Sequence, residues 1–278
     1  MKVEFFYFLL FSIIIFILNL TLKKLNFLVE KDNQSSHRKM FSSNNKKIQS
    51  GGLFLIIILS FILYNQNINL TISLILIFCL GILSDIEIIR SPIIRFLLQL
   101  AIISYLMITT SLQVEYTKID LIDNLINYPF LSFSFSLFCI LILINGCNFI
   151  DGANNILLGY FLIISLNILY LLSDSFIPID HKLFEIIIIS LITLLIFNFF
   201  SIIIAGDAGA YVLGLFFSYL LINFSNQNLN ISPIYILNLL WYPAFENLFS
   251  IIRKIRNNTS ISSPDNFHLH HLIFKQFF

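Results

Sequence analysis

Residues 183–224 read LFEIIIISLITLLIFNFFSIIIAGDAGAYVLGLFFSYLLINF. Two apolar runs, 183–204 and 207–224, meet at Ala205-Gly-Asp207-Ala-Gly-Ala210, where one acid stands alone. Each run approaches the roughly 20 helical residues that a bilayer core takes per crossing. No strand-like alternation or long loop separates them, so the pair reads as two membrane helices joined by a tight polar link.

The pattern repeats outward from there. The chain has 278 residues, 58% hydrophobic and only 11% charged, with a mean hydropathy of +0.90. Soluble domains carry about 25% charged residues, so a water-facing surface is excluded. Nine spans are expected, at 4–22, 50–65, 68–84, 92–112, 129–146, 153–172, 183–204, 207–224 and 232–250. The second and third share a short turn near Asn65–Asn69 and read as a helical hairpin. The first span lacks a small-residue cleavage site and is read as a helix, not a leader. The expected fold class is all-α, a polytopic transmembrane helix bundle forming one membrane-embedded domain over 1–278. Cys79, Cys139 and Cys147 lack CxxC spacing and read as structural thiols.

Charge sets an orientation. Loop 23–50 carries Lys23, Lys24, Lys31, Arg38, Lys39, Lys46 and Lys47, and the tail 251–278 carries Arg253, Lys254, Arg256 and Lys275. The positive-inside rule makes both segments cytoplasmic. With nine spans, the polar clusters 81–90, 145–155, 206–209 and 264–271 fall on that same side.

These clusters carry the chemistry. Asn145, Asn148 and Asp151 recur every third residue, a spacing that aims all three along one helix face. Capping is the ordinary use of such residues at a helix end, but three aligned polar side chains in a membrane protein point to a site. Asp207, between Gly206 and the Ala208-Gly209 pair, joins Asp151 and Asn148 as a set of hard oxygen ligands suited to Mg²⁺. Arg95 lies inside an apolar run, sharing a face with Gln99 four residues on. It either snorkels to the interface or grips an anionic phosphate. His268, His270 and His271 lack a partner at zinc-ligand spacing and suit a diphosphate or sugar better.

Taken in order, His37…Gly51-Gly52, LGILSD (80–85), NGCNFIDGANNIL (145–157), GDAGAYVLGL (206–215) and FHLHH (267–271) resemble the motifs of the polyprenyl-phosphate N-acetylhexosamine-1-phosphate transferases. The resemblance implies transfer of an N-acetylhexosamine 1-phosphate from a UDP-sugar to a polyprenyl phosphate, releasing UMP. It also implies Mg²⁺ or Mn²⁺ held by Asp207 with Asn148, and Asp85 and Asp151 as catalytic acids orienting nucleophile or metal. Arg95, His268, His270 and His271 would hold phosphate and sugar, with Asn154 near the nucleotide. The implied partners are the UDP-N-acetylhexosamine, the polyprenyl phosphate and membrane lipid, with no nucleic acid and a homodimer left open. The implied place is a bacterial cytoplasmic membrane, with the active site facing the cytoplasm, at the start of cell-envelope polysaccharide synthesis.

Three positions depart from the pattern. The family's paired acids are Ser84-Asp85 here, Asn154 replaces an acid, and Ala210 replaces a serine. Relatives of this family usually have 10–11 spans, so the chain is short for it. An impaired relative that binds lipid phosphate is the second reading. A transporter is the third, disfavoured because the acids sit at helix ends and no inverted repeat is visible.

Overall fold

In the computed structural model the described residues are 2–29, 48–151, 155–173, 181–228 and 230–258, with 269, 272 and 276. Among them the chain forms helices α1 (Lys2–Leu25), α2 (Gly51–Leu63), α3 (Ile68–Asp85), α4 (Pro92–Thr110), α5 (Asp120–Ile126) and α6 (Pro129–Ile150). After these come α7 (Ile156–Ser173), α8 (His181–Phe199), α9 (Gly206–Gln227), α10 (Pro233–Leu239) and α11 (Trp241–Arg256). Six of them, α1, α3, α4, α6, α8 and α9, are long and apolar enough to cross a membrane. Helices α2 and α7 are shorter apolar helices. The protein is a multi-pass membrane helix bundle.

The ninth expected span, 232–250, is corrected by the structure. It breaks at Leu240 into α10 and α11. Pro243 has no N–H for the Leu239 carbonyl four residues back. That carbonyl accepts the Tyr160 hydroxyl of α7 instead. Helix α11 is no ordinary span either: Glu246, Asn247, Ser250 and Lys254 are buried while Trp241, Phe245, Phe249 and Ile252 are exposed.

Helix α9 is the hub. Of its most apolar stretch 78% is buried, against 17% for α1 at the periphery, and it packs against α2, α3 and α6. Small residues make this possible by letting backbones touch. A Cβ on Gly52 would lie 2.5 Å from the Gly209 nitrogen, one on Gly81 2.3 Å from the Ala208 Cα, and one on Gly214 2.8 Å from the Ile144 Cα. Six buried hydroxyls within the spans are satisfied locally. The hydroxyls of Ser73, Ser136, Ser165, Ser190, Thr193 and Ser218 each donate to the carbonyl four residues back, which removes the cost of an unpaired group in lipid.

One end of the bundle is stitched across chain-distant segments. Val29 bridges Ile48, and Ile48 bridges Ile203. The first amides of α2 donate to the linker before α9, Gly51 to the Ile204 carbonyl at 3.1 Å and Gly52 to that of Ala205 at 3.2 Å. Ser50, freed from capping its own helix, donates to Asn19 of α1 at 2.7 Å. The start of α9 is thereby fixed to α1 and α2 before any charge is considered.

Candidate functional site

Helix α9 begins without a cap of its own, since Ala205 offers no side-chain acceptor. Its first N–H groups need partners, and α3 supplies one. Asp85, the last residue of α3, accepts from the Asp207 amide through Oδ1 at 2.9 Å and from the Ala208 amide through Oδ2 at 3.1 Å. A carboxylate here also meets the positive end of the helix dipole. Gly206 is required at the junction: its φ is +71°, and a Cβ would lie 2.9 Å from Asp85 Oδ2. So Asp85, expected to orient nucleophile or metal, commits both oxygens to backbone amides.

Ser84 takes the other handle of Asp207. Its hydroxyl donates to Asp207 Oδ2 at 2.6 Å and accepts from Arg95 Nη1 at 2.8 Å. Arg95 also reaches Asp207 Oδ2 directly, at 3.3 Å. Pro92 at the start of α4 places Arg95 in the first helical turn, where its guanidinium can lean out over the helix end. Tyr211, one turn into α9, meets the same guanidinium with its phenol. The Arg95 and Asp207 side chains keep 25% and 17% of their surface exposed, so this ion pair is open to solvent and to a ligand.

Helix α6 enters the site at a height set by packing. Gly214 abuts Ile144 and Cys147. The far ends are paired too: Asn226 donates to Gln113, whose neighbour Val114 donates to Ser136. The two helices are therefore antiparallel. Seven residues back from Gly214 is Asp207, and seven on from Ile144 is Asp151, so equal rise brings both acids to one height. Asn145 Nδ2 donates to Gln99 Oε1 at 2.9 Å and back to the Leu141 carbonyl at 2.9 Å. That pairing puts Arg95, a turn before Gln99, level with Asn148, about a turn after Asn145. The α6 helix runs on to Ile150, four residues past the expected end of the span, with Asp151 as its C-cap.

Asp85, Arg95 and Asp207 are thus brought into one cluster, and Asn148 and Asp151 reach the same level on α6. Asn154, His268, His270 and His271 lie outside the described residues, as does loop 30–47. Three participants were not read as site residues: Ser84, noted only as a departure, Tyr211 and Glu246. Tyr211 follows Asp207 by four residues, so helical spacing carried its signal. Glu246 Oε1 accepts the backbone amide of Leu269 at 2.7 Å, a tie to the histidine motif that no spacing rule announces.

The oxygen donors shown at Asp207 are its own carboxylate and the Ser84 hydroxyl, hard oxygens of the kind a divalent cation takes. Among the described residues no group of three or more His, Cys, Asp or Glu converges.

Fold and site define a multi-pass helical membrane protein with an acid–hydroxyl–guanidinium cluster at one end of its hub helix. The family profile described as glycosyl transferase family 4 matches residues 67–225, a range that holds the whole cluster from Ser84 to Tyr211, and the chain belongs to that family. It is also similar to "Probable undecaprenyl-phosphate N-acetylglucosaminyl 1-phosphate transferase" of Bacillus subtilis (strain 168), with 27% identity over 204 residues, 73% of this chain. The chain spans 56% of the length of that relative.

Proposed function

We propose that this chain transfers a sugar 1-phosphate from a nucleotide diphospho-sugar to a polyprenyl phosphate. The observation that carries this reading is the Asp207–Ser84–Arg95 cluster, half-open at the head of α9 within the family-matched segment. A phosphate oxygen of the lipid attacks the β-phosphorus of the donor. One P–O bond forms, the bond from that phosphorus to the bridging oxygen breaks, and the nucleoside monophosphate leaves with that oxygen. Such transfers need positioning and charge neutralisation more than covalent help. Arg95 supplies a fixed cation for the crowded phosphates, and Asp151 orients the reactants from α6. Asp207 and Asn148 would hold Mg²⁺, or Mn²⁺ in its place, which when bound neutralises phosphate charge and acts as a Lewis acid.

The finer reading is a UDP-N-acetylhexosamine donor, undecaprenyl phosphate acceptor and UMP product. His268, His270 and His271 bind phosphate or sugar there, and Asn154 lies beside the nucleotide. The site is read as facing the cytoplasm of a bacterial inner membrane, the side to which the positive-inside rule assigns the basic stretches 23–50 and 251–278 and, by span parity, the motifs. The identity with a relative described as an N-acetylglucosaminyl 1-phosphate transferase supports this. The test is UMP release by membranes containing the chain, given UDP-GlcNAc, undecaprenyl phosphate and Mg²⁺. Release that needs all three components is expected. No release with any of several UDP-sugars, while an active relative works alongside, would reject transfer in favour of a lipid-phosphate binder.

A further inference from the structure

Asp207 is held at both ends by two consecutive residues of α3. Asp85 grips its backbone amide and the next one, and Ser84 grips its carboxylate. We propose that Ser84 and Asp85 are positioning residues that act through Asp207, and that Asp85 does not carry the proton of the reaction. The effect on turnover rests on the transfer reading above, whereas the clamp itself does not.

Three observations support the clamp. Asp85 is 7% exposed and each of its oxygens accepts a backbone N–H group, which holds the carboxylate against the first turn of α9. Gly206, with φ at +71° and no room for a Cβ beside Asp85 Oδ2, shapes the linker for this grip and for no wider one. Ser84 sits where the motif resemblance expects an acid. A carboxylate there could only accept and would face Asp207 Oδ2, itself an acceptor, with no hydrogen to give it. The serine hydroxyl instead donates to Asp207 and accepts from Arg95. It bridges acid and base with no charge of its own.

The test combines hydrogen–deuterium exchange and kinetics on the full chain in lipid nanodiscs. Asp85→Ala should speed exchange of the segment 204–212 by roughly ten- to a hundredfold, the factor for losing two modest hydrogen bonds, and leave the middle of α9 unchanged. Asp85→Asn, which keeps one acceptor, should fall between. Turnover of Asp85→Asn should drop in kcat, with little change in KM, and keep the acid limb of its pH profile. Ser84→Thr should retain turnover, because the hydroxyl survives, whereas Ser84→Ala should lose most of it. Wild-type exchange at 204–212 in Asp85→Asn together with a vanished acid limb would overturn the clamp and make Asp85 a proton-transfer group. Equal losses in Ser84→Thr and Ser84→Ala would overturn the bridge. If the unaltered chain shows no turnover, the transfer reading fails, and the exchange data still decide the clamp.

Discussion

The two ends of the bundle are built from different chemistry. At the motif end, Asp85, Asp207 and Arg95 connect α3, α4 and α9 through charged hydrogen bonds. At the opposite end the ties are mostly neutral. Asn67 caps α3 by accepting from the Leu70 amide at 2.9 Å and donates to Tyr219 at 2.8 Å. Tyr116 donates to the Ser225 carbonyl at 2.6 Å, and Asn226 to that of Gln113 at 2.7 Å. Neutral pairs of this kind satisfy one another and then have little left to offer a ligand. A charged pair with a fifth of its surface in solvent is different, because its field remains available to a phosphate or a cation. The far end closes the bundle with neutral ties, and the motif end leaves a charged pair partly open.

The sharpest way to break this contrast is to alter one acid at the motif end. Asp207→Asn keeps the size and the Ser84 contact but loses the charge. Product formation should fall by roughly 10²-fold or more, the scale on which one preorganised group of an active site acts. Melting temperature should hardly move. Full UMP release from Asp207→Asn would show that the charge is not used. Next in size is a change to packing, not charge. Gly81→Ala places a methyl against the Ala208 backbone and must push α3 from α9. We expect a loss of about 1–3 kcal/mol of stability, typical of overpacking, read by thermal unfolding in detergent. Because Ser84 and Asp85 ride on α3, turnover should fall with it. A variant as stable and active as the parent would mean that the helices are free to part.

How far the sequence announces all this differs between elements. Apolar runs locate helices at eight of the nine expected positions, six of them long and apolar enough to cross a membrane, because lipid imposes one rule on length and composition. The ninth fails since hydropathy averages over Pro243 and over a helix whose polar face turns inward. Asp207 and Arg95, which the structure brings together, are legible from polarity out of place. Asp85 is legible as important but not in its role, because which atoms cap α9 depends on an approach between α3 and α9 across more than a hundred residues. Ser84 looks like a loss in the sequence. Only the 2.6 Å contact to Asp207 and the 2.8 Å contact from Arg95 give it a use.

Two smaller effects sharpen the comparison from the other side. Asn67→Ala removes a helix cap and the Tyr219 contact, and should cost about 1–2 kcal/mol of stability. UMP release per folded molecule should be unchanged, and a fall in it would tie the far end to catalysis.

The smallest effect concerns the one carboxylate noted at the far end. Asp123 accepts from the amide and the hydroxyl of Thr117 at 2.6 and 2.7 Å. The Thr117 hydroxyl chiefly, against an opposing push from desolvation and helped by the amides of Thr117, Lys118 and Ile119, holds its pKa below the ordinary carboxylate value. A group with a depressed folded pKa stabilises the fold above its unfolded pKa, and that contribution is lost as the pH falls through the folded value. Acidifying from neutrality should therefore loosen the 115–123 turn first, below the ordinary range of an aspartate. Asp123→Asn should flatten that acid limb of local hydrogen exchange while leaving global melting within error. The motif end carries charge for its ligand; if Asp123→Asn instead altered UMP release, charge at the far end would matter as well, and the division between the two ends would fall.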